Sequence, residues 1–133
     1  MPKLPTSRPT VLILDRELGF AFWLGQTLDL SGYNAFPARS CEDAAELLKH
    51  LKTSIDLLVL GSASANAVVF ADSLRRSQGK LKVLAAVGDG EELGSIFSPD
   101  AVQTKTASSK EWLRTIDRLL STEPAPQVMR AGS

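Results

Sequence analysis

The chain has 133 residues, of which 44% are hydrophobic and 23% are charged, a composition typical of one globular domain with a buried core. Its 15 basic and 15 acidic residues cancel, which argues against bulk attraction to nucleic acid or to an anionic membrane. The single cysteine, Cys41, cannot form an internal disulfide, and no apolar run approaches the roughly 20 residues of a membrane-spanning helix. We therefore expect a cytoplasmic protein that binds neither nucleic acid nor membrane.

Proline-containing polar stretches flank the central part of the chain. Residues 1–9 contain three prolines, and residues 122–133 carry Pro124 and Pro126 without apolar periodicity. These compositions predict a flexible N-terminal lead over 1–9, one domain over 10–121, and a flexible tail or truncated linker over 122–133.

Short β-favouring runs alternate with helical patterns between the two ends. The predicted strands are Val11–Leu14, Asn34–Pro37, Leu57–Leu60, Leu81–Val87 and Ala101–Thr104. The predicted helices are Leu18–Ser31, a second that begins after Ser40, Ala65–Ser77, a short one over Glu91–Phe97, and a last one capped by Ser108 or Ser109. This alternation predicts an α/β fold: a flavodoxin-like, doubly wound sheet of five parallel strands in the order 2-1-3-4-5, with helices on both faces.

Apolar residues at helical spacing predict the buried side of each helix. The predicted core residues are Ala44, Ala45, Leu48 and Leu51 in the second helix, Val69, Phe70 and Leu74 in the third, and Leu113, Ile116 and Leu120 in the last. The third strand, Leu57–Leu60, is a continuous apolar run, and we expect it to be buried on both faces.

The first helix carries more large apolar residues than one buried face needs. With Leu24 at the centre of the buried face, Trp23 and Leu30 project to one side and Phe22 lies almost opposite. One interpretation is an exposed patch for a protein partner. The other is that Trp23 and Leu30 pack on a neighbouring helix and leave Phe22 exposed alone. Trp112 in the last helix extends either the core or the patch, so the candidate interaction surface is Phe22, Trp23, Leu30 and Trp112.

Four motifs occur in an order and spacing typical of one family. They are Val11–Asp15 for the first strand, Leu28-x-x-x-Gly32-Tyr33 after the first helix, Asp56–Leu60 for the third strand, and Lys105 after the fifth. Through them residues 10–121 resemble the receiver domain of bacterial two-component response regulators, the CheY-like family. The resemblance implies a carboxylate after strand 3 that accepts a phosphoryl group and an acidic pair after strand 1 that helps to hold Mg²⁺. It also implies a phosphate-binding hydroxyl after strand 4 and a lysine after strand 5.

Most of this machinery is missing from the sequence. The acidic pair is Asp15 followed by Arg16, the acceptor position is Gly61, the hydroxyl position is Val87, and Lys105 remains. Glycine has no carboxylate to phosphorylate, and one carboxylate beside an arginine is a poor Mg²⁺ site. The resemblance therefore implies a degenerate pseudo-receiver without metal, cofactor or enzymatic activity. Asp15 and Lys105 are predicted to form a structural ion pair, or to remain from a site for another anion or metal.

We expect such a domain to act by binding proteins. In receivers the first-helix region commonly contacts the cognate histidine kinase, so the expected partners are a histidine kinase, another signalling protein or a second copy of the chain. One alternative is a conventional phosphorelay receiver whose acceptor is Asp56, although that residue begins strand 3, at the opposite end of the sheet from Lys105. The other is a flavodoxin-like domain that binds a small ligand or catalyses a reaction, for which the sequence offers no phosphate-binding loop or catalytic set.

Overall fold

The computed structural model describes residues 8–51, 54–61, 65–88 and 99–121. The strands are β1 (Thr10–Leu14), β2 (Asn34–Ala38), β3 (Leu57–Leu60), β4 (Lys82–Val87) and β5 (Ala101–Thr104). The helices are α1 (Leu18–Leu30), α2 (Cys41–His50), α3 (Ala65–Ser77) and α4 (Ser109–Ser121). The predicted short helix over Glu91–Phe97, residues 1–7 of the predicted lead, and the predicted tail lie outside the described residues.

The five strands form one parallel sheet in the order β2-β1-β3-β4-β5. This confirms the predicted fold class and strand order. Pro37 lies in the edge strand β2, opposite Ile13 of β1, and an edge strand tolerates its missing amide hydrogen. All four residues of β3 are buried, as its uninterrupted apolar run predicts for a strand covered on both faces.

Two hydrophobic cores lie on opposite faces of the sheet, because successive strand residues point in opposite directions. Leu12 and Leu58 belong to the core beneath α2 and α3. Val11 and Val59 belong to the core beneath α1 and α4. Among the described helices, none is long and apolar enough to cross a bilayer.

Local sequence explains where the helices begin and end. The Ser40 side chain accepts a hydrogen bond from the Asp43 amide at 3.1 Å and caps α2. Ser108 rather than Ser109 caps α4: its side chain accepts from the Glu111 amide at 3.2 Å, and the Glu111 carboxylate accepts from the Ser108 amide at 3.1 Å. After α1, Gly32 adopts a φ of 97°, a left-handed conformation that glycine reaches without strain.

Two of the predicted core residues are wrong. Val69 in α3 is 65% exposed, and Ala45 in α2 is exposed. The buried row of α3 is formed by Ala67, Ala71 and Leu74, which follow the i, i+4, i+7 spacing of one helix face. Val69 lies about 200° around the helix from Ala67 and therefore points to solvent.

Candidate functional site

The predicted pocket positions meet at the carboxyl ends of the strands. Asp15 follows β1 and Gly61 follows β3, where the Gly61 amide donates to the Leu14 carbonyl at 2.8 Å. Lys105 follows β5, and its amide donates to the Val87 carbonyl at 2.8 Å. Pairing between parallel strands thus carries these positions to one edge of the sheet, where α/β folds of this kind place their sites.

The Asp15 carboxylate fills the space in which a side chain at position 61 would begin. A Cβ atom added to Gly61 would lie 2.0 Å from Asp15 Oδ2, 2.3 Å from its Cγ and 2.9 Å from its Cβ. These separations are far shorter than any carbon–oxygen or carbon–carbon van der Waals contact. The pocket is therefore filled from the neighbouring strand, and glycine at position 61 is what makes room for it.

Lys105 provides the counter-charge for this buried carboxylate. Its Nζ lies 2.9 Å from Asp15 Oδ2, and the two side chains are 13% and 3% exposed. Asp15 Oδ1 accepts a hydrogen bond from the Glu17 amide at 2.9 Å. Oδ2 has no well-aligned hydrogen bond among the described residues, so the close approach of the ammonium is the contact that offsets its burial. Asp15 and Lys105 form the ion pair that the sequence predicted as one of two possibilities.

Two further residues complete the cluster around Lys105, and neither was predicted. The Glu17 carboxylate accepts a hydrogen bond from Lys105 Nζ, and the Phe20 ring centroid lies 5.4 Å from the same nitrogen, within cation–π distance. Glu17 precedes α1 and Phe20 lies in its first turn. The lysine therefore ties the turn after β5 to the start of α1.

The contact between Lys105 and Glu17 shifts the pKa values of both residues. Burial alone lowers the pKa of Lys105, but its hydrogen bond to Glu17, its close contact with Asp15 and the negative charges of both outweigh burial, so the pKa lies above its ordinary 10.5. The pKa of Glu17 lies below its ordinary 4.5, first because of the hydrogen bond from Lys105 and then because of its charge. Both shifts favour the charged forms that pair with each other.

We expect the folded state to lose stability in strongly alkaline solution. Because the pKa of Lys105 is raised on folding, its contribution is complete below about pH 10.5 and is lost as the pH rises through the folded-state value. Urea unfolding from about pH 9 to about pH 12, compared with Lys105→Met, isolates this contribution, since the other groups titrate in both proteins. The difference in free energy of unfolding between wild type and Lys105→Met should become smaller toward pH ~12. A difference that does not change with pH would mean that the charge of Lys105 does not stabilise the fold.

The residues at this edge do not fit a Mg²⁺ ion. Both oxygens of Asp15 are engaged, one by the Glu17 amide and one by Lys105, and the next position is Arg16, an exposed cation. Over the described ranges, no three or more histidine, cysteine, aspartate or glutamate side chains come together as a metal site. Magnesium needs several oxygen ligands in near-octahedral geometry, and this donor set cannot supply them without breaking the ion pair.

Asp56, the alternative acceptor, lies at the other edge of the sheet. Its carboxylate accepts a hydrogen bond from the amide of Thr10, the first residue of β1, at 2.8 Å, and its own amide donates to the Thr10 carbonyl at 2.9 Å. Asp56 thus anchors the amino end of β1, whereas Lys105 follows the carboxyl end of β5. It cannot share a pocket with Lys105.

A groove of about 490 Å³ opens beside the cluster, at the carboxyl ends of β1 and β2. Arg16, Arg39 and Cys41 contribute to its wall. Arg39 forms an ion pair with Asp43, whose carboxylate lies 3.4 Å from the guanidinium. Burial, and secondarily Glu42, raises the pKa of the Cys41 thiol, which disfavours the reactive thiolate. The groove offers a place for a small ligand, but the described residues that line it do not include a nucleophile paired with a base.

The candidate surface on α1 is exposed, but one of its four predicted members is not. The exposed fractions are 57% for Phe22, 38% for Trp23 and 81% for Leu30. Trp112 is fully buried, which corrects its inclusion in the surface: its ring packs 5.4 Å from that of Phe20, in the core between α1 and α4. The alternative that Leu30 packs against a neighbouring helix is also excluded by its exposure.

Phe20 connects the ion cluster to this surface. Its ring contacts Lys105 on one side, as described above, and lies 6.0 Å from the ring of Trp23. Phe20 thus lies between Lys105 and Trp23, and we expect the fluorescence of Trp23 to respond if Lys105 is displaced.

No family model and no curated protein sequence matches the chain. Solved structures do match it. A response regulator from Thermotoga maritima is 15% identical with a TM-score of 0.73, over 87% of this chain and 100% of that chain. A CheY-like response regulator receiver domain protein from Methanospirillum hungatei is 19% identical with a TM-score of 0.72, over 86% and 94%. An orphan response regulator of H. pylori is 19% identical with a TM-score of 0.69, over 87% and 99%.

These matches identify the fold. The parallel sheet with its 2-1-3-4-5 order belongs to the flavodoxin-like class. Within that class, the solved neighbours are response regulator receivers, and the described domain has the CheY-like receiver fold.

Proposed function

We propose that the chain is a non-phosphorylatable pseudo-receiver that acts as a protein interaction module in bacterial two-component-type signalling. The observation that carries this proposal is the Asp15 carboxylate in the space where an acceptor side chain at position 61 would begin. Phosphoryl transfer needs a nucleophile, an offsetting metal and further donors to the phosphate oxygens. At this edge of the sheet Asp15 and Lys105 form an ion pair with each other, so neither is free to bind a metal or a phosphate.

The interaction role rests on the exposed face of α1. Three large apolar side chains of a kind that soluble domains usually bury are exposed on α1, those of Phe22, Trp23 and Leu30. Aromatic residues of this kind dominate the binding energy of protein interfaces. The partner is a histidine kinase, another signalling protein or a second copy of the chain, and the proposed location is the cytoplasm. No catalytic activity and no cofactor is part of the proposal.

The two alternatives have weaker support. A conventional receiver needs an acceptor beside Lys105, and Asp56 lies at the opposite edge of the sheet. A small-ligand domain has the groove beside Arg16 and Arg39, but the described residues there do not form a phosphate-binding loop or a nucleophile with its base.

The decisive experiment is titration of the purified chain with Mg²⁺ and beryllofluoride, which mimics an aspartyl phosphate. We expect no saturable change in tryptophan fluorescence, because among the described residues the two carboxylates beside Lys105, those of Asp15 and Glu17, are already paired with it. Trp23 is a sensitive probe since it contacts Phe20, and Phe20 contacts Lys105. A receiver with an aspartate at the acceptor position serves as the positive control.

Saturable binding would overturn the proposal. The variant Asp15→Asn then identifies the carboxylate responsible: a response that disappears in this variant would mean that Asp15 itself holds the mimic. A response that persists would point to a carboxylate elsewhere, and the thermal shift produced by flavins or nucleotides would then test the small-ligand alternative directly.

A further inference from the structure

We draw no further inference here: the strongest candidate, the groove at the carboxyl ends of β1 and β2 beside the first turn of α2, carries nothing, because the two basic side chains on its described wall are balanced by two acidic ones, so that its charge selects no class of ligand, and the start of α2 is not by itself a site.

Discussion

Gly61→Ala is expected to destabilise the folded domain by about 3 kcal/mol, the range of overpacked cores and disrupted buried pairs. The added Cβ would lie 2.0 Å from Asp15 Oδ2 and 2.3 Å from Cγ, so the carboxylate has to move. It cannot move freely, because the Glu17 amide holds one oxygen and Lys105 the other. The free energy of unfolding in urea, followed by the fluorescence of buried Trp112, measures the effect.

Gly19→Ala is the matched control for this substitution. Nothing lies within 4 Å of a Cβ added there, and alanine in a helix is favoured over glycine by up to about 1 kcal/mol. The steric cause is tested by repeating Gly61→Ala in an Asp15→Ala background, where, of the three atoms nearest to the added Cβ, only the Asp15 Cβ at 2.9 Å remains. The cost should then fall by well over half. If Gly61→Ala is as harmless as Gly19→Ala, the carboxylate does not fill the pocket.

The sheet could be predicted from the sequence because its signals are local. The continuous apolar run of β3 predicts burial on both faces, and Pro37 predicts that β2 is an edge strand, as observed. Ser40 predicts the start of α2, because its side chain caps the helix by accepting a hydrogen bond from the Asp43 amide. In each case the residues that determine the structure lie within a few positions of one another.

The site could be predicted only in part, because its geometry depends on residues far apart in sequence. The sequence shows that position 61 has no side chain. It does not show that the Asp15 carboxylate occupies the space left there, because Asp15 follows β1 and Gly61 follows β3. Glu17 gains its role from Lys105, which is 88 positions away. Nothing near Glu17 distinguishes it from an ordinary exposed carboxylate at the start of a helix.

The two tryptophans illustrate the same limit on the surface. Trp23 and Trp112 lie in helices on one face of the sheet, and the sequence left both as candidates for the core or for the exposed patch. The packing of α1 against α4 places Phe20 over Trp112 and buries it, while Trp23 on the outer side of Phe20 remains 38% exposed. The packing of α1 against α4 determines which of the two tryptophans is buried. The apolar periodicity of each helix cannot predict how the two helices pack.

Lys105→Met is expected to cost about 3–5 kcal/mol of the free energy of unfolding, the range observed when one partner of a buried ion pair is removed. Methionine keeps most of the length of the side chain, so packing against Phe20 is largely retained. What is lost is the ammonium 2.9 Å from Asp15 Oδ2. That oxygen is buried and has no other donor among the described residues, so its charge would be left uncompensated.

Two comparisons establish the cause of this loss. Lys49→Met removes a lysine whose contact with Glu46, at 3.8 Å, is largely exposed, and should cost less than about 0.5 kcal/mol. Asp15→Asn combined with Lys105→Met removes both charges and should recover most of the stability, because a neutral pair leaves no buried charge. Recovery in the double variant would mean that the loss in Lys105→Met comes from the uncompensated charge of Asp15. Equal losses for Lys105→Met and Lys49→Met would mean that Asp15 does not depend on Lys105.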